Sequence, residues 1–146
     1  MSRLQLALNV DDLERSITFY SRLFGTPPAK LRPGYANFAV AEPPLKLVLV
    51  ENPGHGGSVN HLGVEVEDTA AVDAVQRRLT ADGLTSTDER DTVCCYATQD
   101  KFWVDHTPDG EQWEVYTVLD ENPEAVTGSG CCGEDASEQA RACCAG

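Results

Sequence analysis

All six cysteines of this 146-residue chain come as adjacent pairs: Cys94–Cys95, Cys131–Cys132 and Cys143–Cys144. Adjacent residues suit a structural disulfide badly. Their Cα atoms stand about 3.8 Å apart, and an ordinary bridge wants about 4.4–6.8 Å. Such pairs read instead as metal-binding or reactive thiols. A second set of chemistry-bearing residues consists of Gln5, His61 and Glu114. They offer an amide oxygen, an imidazole nitrogen and a carboxylate. Gathered together, these donors suit a borderline divalent metal such as Fe(II), Mn(II), Ni(II) or Zn(II), with coordination positions left open for chemistry.

The elements that would position this second set form a repeat. The stretches "QLALNVDDLERSITFYSRLFG" (5–25) and "HLGVEVEDTAAVDAVQRRLTADG" (61–83) share one plan. Each has an alternating strand, an acidic helix start, a helix and a closing glycine. Leu4, Leu6, Leu8 and Val10 alternate with Gln5, Ala7 and Asn9, which makes a strand with one apolar face. Asp11 is placed to cap the following helix, with Glu14 three residues on. Leu13, Ile17, Tyr20, Leu23 and Phe24 are expected on one helical face, and Gly25 can close it. In the second copy Leu62, Val64 and Val66 alternate with His61, Gly63 and Glu65, while Val72, Val75 and Leu79 line the helix.

Further strands follow each helix. "YANFAV" and "KLVLVE" flank "AEPP"; "TQDKFWVDH" and "EQWEVYTV" flank the turn signal "TPDG". Weaker extended segments are expected at 28–33 and 85–93. The order is strand, helix, three strands, and the same again. Aligning the copies puts Gln5 and His61 at one structural position, both opposite the helix-facing aliphatic residues. Glu114 shares a strand face with Gln112 and Tyr116. If the two modules pair into a cup, all three donors meet inside it.

The formal net charge of −13, with eleven scattered basic residues, argues against nucleic acid or an anionic membrane as partner. The apolar run before Asp11 is too short for a signal peptide, and nothing reaches transmembrane length. A cytoplasmic location with reduced thiols is the expectation. Residues 1–119 read as one domain, with modules at about 2–52 and 58–119. The acidic, Gly- and Ala-rich stretch 120–146 reads as a disordered tail carrying two cysteine pairs. Those two pairs read either as weak thiol sites for a soft metal, the favoured reading, or as tolerated passengers. His55 and His106 read as solvent-facing, and "GHGG" lacks the strand-to-helix setting of a phosphate loop.

The paired modules, with ligand types at the starts of two related strands and on the last strand, resemble the vicinal oxygen chelate superfamily. That group includes glyoxalases, extradiol dioxygenases and bleomycin-resistance proteins. More closely, "LQLALNVDDLERSITFYSRLFG", "NHLGVEVED", "CCYATQDKFWV" and "PDGEQWEVYTVL" resemble the bacterial carbon–arsenic lyases and cadmium-induced proteins, over about residues 2–119. The resemblance implies an α+β fold in which two paired βαβββ modules form a cupped mixed sheet around a metal site. It implies Fe(II) at Gln5, His61 and Glu114, and O₂ as co-substrate. A trivalent organoarsenical, such as methylarsenite or a reduced aromatic arsenical, would be bound by Cys94 and Cys95. The implied activity is dioxygenase-type cleavage of the carbon–arsenic bond to inorganic arsenite, a detoxification. Tyr96 and Lys101 are candidates to shape the pocket or orient substrate. A homodimer with exchanged modules and closure within one chain both occur in the superfamily.

Two other readings remain at this point: another reaction of the superfamily, and a non-enzymatic arsenite- or cadmium-sequestering protein. Two adjacent thiols match the two exchangeable bonds of a monosubstituted trivalent arsenical, and capture by the first raises the effective concentration of the second. Replacing either Cys94 or Cys95 with Ser is therefore expected to abolish organoarsenical binding and to spare metal binding. Unchanged methylarsenite turnover in both variants would remove the proposed role.

Overall fold

The computed structural model describes residues 2–94 and 96–122. Cys95, the two C-terminal cysteine pairs and the disordered-tail reading beyond Asn122 lie outside the described residues. In chain order the elements are β1 (Arg3–Val10), α1 (Leu13–Phe24), β2 (Lys30–Arg32), β3 (Tyr35–Val40) and β4 (Leu45–Glu51). The plan then repeats as β5 (Val59–Glu65), α2 (Thr69–Ala81), β6 (Ser86–Cys94), β7 (Ala97–Val104) and β8 (Trp113–Asp120). The fold is α+β, as the repeat predicts. No helix of the described residues is long and apolar enough to cross a membrane. By contacts the chain divides between Leu62 and Gly63, inside β5, so that His61 belongs with the first unit.

In the first unit the strand order is β2-β3-β4-β1, with the start of β5 beside β1. β1 runs parallel to β4, and β3 is antiparallel to both β2 and β4. Period-2 alternation decides the two faces. Leu6, Leu8 and Val10 of β1 join Ala36, Phe38, Val40, Leu47 and Leu49 against Leu13, Ile17, Tyr20 and Phe24 of α1. Leu23 departs from the helical face expected for it: with Phe19 it is 59% exposed. The apolar stripe 13, 17, 20, 24 already fills the contact, and the 19–23 pair lies one step round the helix.

The helix start also differs from expectation. Asp12, not Asp11, is the N-cap: its carboxylate accepts the Arg15 N–H at 2.9 Å, and Glu51 accepts that of Leu13 at 2.8 Å. Asp11 is drawn away by a stronger local demand. Its Oδ1 accepts the N–H groups of Gly54 (2.8 Å) and Gly56 (3.0 Å), pinning the loop before β5. A side chain at Gly56 would meet that carboxylate at 2.6 Å. Gly25 closes α1 with φ +64°, as the sequence suggests.

In the second unit the end of β5 lies beside β8, followed by β7 and β6, the last three antiparallel. Asp68 caps α2 by accepting from Ala71. Leu84 N–H reaches the Leu79 carbonyl and Gly83 N–H that of Thr80, a Schellman closure with Gly83 at φ +87°. Val72, Phe102 and Val115 form this unit's core, with Val64, Val75, Leu79 and Val104 packed on it.

The capping assignment is testable by urea denaturation. Asp12→Ala is expected to cost about 1 kcal/mol through the lost helix cap, and Asp11→Ala to loosen the 54–56 loop while leaving α1 capped.

Candidate functional site

Gln5 and His61 come together in the first unit. The alternation that sends Leu6 and Leu8 to the helix sends Gln5, Ala7 and Asn9 to the other face. Gln5 is 4% and His61 1% exposed, and the Gln5 amide lies 3.0 Å from His61 Nε2. On the opposite side of the ring, His61 Nδ1 is 2.7 Å from Asn60 Oδ1. Lys46, paired in register with Gln5, is buried on the same face. Asn37 and Tyr35 are buried nearby on β3, the amide donating to the phenol oxygen at 3.0 Å.

Glu114 and Lys101 come together in the second unit. Across the β7–β8 ladder Trp103 opposes Glu114 and Lys101 opposes Tyr116, so all four share one face. Lys101, 1% exposed, donates to Glu114 Oε2 at 3.1 Å and lies 3.5 Å from Glu89. Its ammonium also sits 4.8 Å from the Trp103 ring centroid. Lys101 is thus a buried ion-pair partner of the expected carboxylate ligand. Gln99, on the same face of β7, is buried with Oε1 unpartnered among the described residues.

Cys94 ends β6 as its last residue rather than lying in a loop, and pairs in register with Ala97. Its direction is set by an irregularity that alternation alone does not foresee. Glu89 opposes Lys101 but Thr92 opposes Gln99, so one extra residue is inserted in β6. Without it, Glu89 and Cys94, five positions apart, would point to opposite faces. With it, Cys94 joins Glu89, Gln99, Lys101 and Glu114. The bulge is tied down on both sides. Asp91, at φ +48°, donates its N–H to Asp100 Oδ1 at 2.8 Å, and Thr69 at the start of α2 donates to Asp100 Oδ2 at 2.6 Å. Arg90 pairs with Asp73 at 2.9 Å and Asp88 at 3.0 Å. Tyr96 follows in the left-handed region at φ +64° with its side chain exposed.

The matching family model, over residues 3–115, is that of the glyoxalase/bleomycin resistance protein/dioxygenase superfamily. The chain belongs to this superfamily. The cadmium-induced protein CadI of Mycobacterium tuberculosis is 60% identical over all of this chain and 95% of its own length. A trivalent organoarsenical cleaving enzyme of Thermomonospora curvata is 65% identical over 81% of this chain and 78% of its own. Among solved structures, a Mn(II)-bound glyoxalase from Novosphingobium aromaticivorans matches with a TM-score of 0.58 at 19% identity. It covers 80% of this chain and 40% of that one, a likeness of fold alone.

Within this superfamily fold, the donor chemistry fits a divalent metal. The Gln5 amide and His61 Nε2, 3.0 Å apart, bring an amide and an imidazole nitrogen together on one buried face. The oxygen and nitrogen ends of that amide interchange by a half-turn of the side chain. The Glu114 carboxylate accepts from Lys101 through Oε2, and a carboxylate presents about four lone-pair sites in all. Among the described residues no three His, Cys, Asp and Glu side chains gather as a metal cluster; the expected set depends on a glutamine. Sequence reasoning missed Asn60, Lys46, Gln99 and the bulge. The parity of Asn9 with Gln5 was the visible hint of a polar face.

Hydrogen bonds from Thr69 and Asp91 hold the Asp100 carboxyl below its ordinary value of 3.8, with Arg90 adding attraction. A lowered folded value stabilises the protein fully above the unfolded value near 3.8, and this is lost as pH falls through the lower folded value. Asp100→Asn is therefore expected to be less stable than the parent near neutrality, with the deficit closing in acid below that range. Denaturation of both forms from about pH 7 to pH 2 reads this directly; a deficit that persists in acid would contradict it.

Proposed function

We propose that the protein is an Fe(II)-dependent enzyme that cleaves the carbon–arsenic bond of trivalent organoarsenicals, releasing inorganic arsenite. The observation that carries this reading is the bulge-directed placement of Cys94 on the buried face bearing Lys101 and Glu114. A relative 65% identical, named as a trivalent organoarsenical cleaving enzyme, supports it.

The chain's own residues divide the work. Cys94 and its neighbour Cys95 exchange with the two hydroxyls of an RAs(OH)₂ species, forming two S–As bonds and releasing two waters. The carbon–arsenic bond is left intact and held at the site. Gln5, His61 and Glu114 would hold the metal through an amide oxygen, an imidazole nitrogen and a carboxylate. Bound Fe(II) would supply activation of O₂ for oxidative attack at the carbon–arsenic bond. Lys101, bonded to Glu114 Oε2, orients that carboxylate, as partners of ligating carboxylates do. Gln5, His61 and Glu114 are each buried, and exclusion of bulk water strengthens the electrostatic contacts each one makes.

The second reading, thiol sequestration of cadmium or arsenite, is favoured by the paired cysteines alone and gives Gln5, His61 and Glu114 no common purpose. Reconstitution with Fe(II) without oxygen, followed by methylarsenite and air, separates the two. Catalytic formation of arsenite is expected. Stoichiometric binding without turnover would overturn the lyase reading in favour of sequestration.

A further inference from the structure

In the first unit a directed chain of hydrogen bonds ends on His61. It starts at a backbone carbonyl, a group that can only accept. Ser58 Oγ lies 2.6 Å from the His55 carbonyl, so the single hydroxyl proton of Ser58 is spent there. Ser58 Oγ must then accept from Asn9, 2.8 Å away, which puts the Asn9 amide nitrogen on that side. Asn9 Oδ1 consequently faces Asn60, whose amide nitrogen donates to it at 3.0 Å, with Asn52 also approaching at 3.4 Å. Asn60 Oδ1 is thereby turned to His61 Nδ1 at 2.7 Å.

Amide orientations and histidine tautomers are ordinarily ambiguous from heavy atoms. Here the carbonyl of His55 removes the ambiguity link by link. Reversing any one amide would set two acceptors or two donors against each other in a part-buried place. The backbone holds the ends in register as well. Asn9 N–H reaches the Ser58 carbonyl and Gly57 N–H the Asn9 carbonyl, both at 2.9 Å.

We infer that Asn60, aligned by Asn9 and Ser58, is a positioning residue that holds neutral His61 as the Nδ1–H tautomer and so keeps the Nε2 lone pair facing Gln5 for a metal. The Nε2 atom cannot ligate while it carries the proton, and a partner on Nδ1 fixes both the tautomer and the ring plane. The inference rests on the metal-site reading of Gln5 and His61 for its purpose, but the tautomer stands on the hydrogen-bond chain alone.

The test uses metal-free full-length protein labelled with ¹⁵N-histidine, at a pH where His61 is neutral. The ring signals are assigned by their loss in His61→Gln. The expected spectrum has His61 Nδ1 in the protonated and Nε2 in the unprotonated range. Asn60→Leu is expected to mix the tautomers and to weaken Zn(II) or Co(II) binding about 10–100-fold. Asn60→Asp keeps the acceptor toward Nδ1 while losing the donor to Asn9 Oδ1, and is expected to keep the Nδ1–H tautomer. If Asn60→Leu does not fold, Ser58→Ala removes the directing hydroxyl at an exposed position and is expected to raise the Nε2–H fraction. A parent protein with its proton on Nε2, or an Asn60→Leu variant with parental tautomer and affinity, would overturn the inference. Failure of the metal reading is a separate result: His61→Gln would then bind metal as the parent does, whatever the spectrum shows.

Discussion

A buried polar atom without a partner costs about 1–3 kcal/mol, and this obligation organises both units. Each unit sends one strand face to its helix, where aliphatic side chains satisfy one another. The opposite face is buried as well, yet it carries Gln5, Asn9, Asn37, Lys46 and His61 in one unit and Gln99, Lys101 and Glu114 in the other. Apart from Gln99 Oε1, such groups are held in organised sets. The Ser58–Asn9–Asn60–His61 chain and the Lys101–Glu114 pair are two such sets. Each orients an atom that a metal ion could use. The same bonds that make burial tolerable therefore prepare the chemistry, which is the economy that joins stability to function here.

The second unit adds a constraint of register. A strand of period two cannot put Glu89 and Cys94 on one face. One inserted residue in β6 does so, and Asp100 fastens it to both the bulged backbone and the first residue of α2. Asp100 thus acts on the thiol from a distance, by choosing the face it joins. Its neighbour Lys101 projects to the other face and pairs with Glu114. Two consecutive residues of "ATQDK" serve the site in different ways, one through the backbone and one through charge.

Membership of the superfamily constrains the fold, and its members run different chemistries on it. What distinguishes one reaction from another must lie in side chains added to the common frame. The adjacent thiols are such an addition. On the function proposed above, a soft, two-point ligand pair would match a soft centre with two exchangeable bonds.

The repeat, the helix faces around Ile17 and Val75, and the parity that sets Gln5 opposite Leu6 were legible in the sequence, because alternation and helical period are local properties of the chain. The choice between Asp11 and Asp12 as cap was not, since it depends on Gly54 and Gly56 arriving from some forty residues away. The burial of Lys101 was equally hidden: a lysine between Asp100 and Phe102 gives no local sign of burial, which comes from Glu114 and Trp103 beside it. The sequence by itself determined which residues could act as ligands and thiols and on which strands they stand. Only the tertiary structure decided the direction of the hydrogen bonds on His61 and the face that Cys94 joins. Both depend on a backbone group meeting a side chain, the His55 carbonyl with Ser58 Oγ and the Asp91 N–H with Asp100 Oδ1, and neither helical nor strand period encodes those contacts.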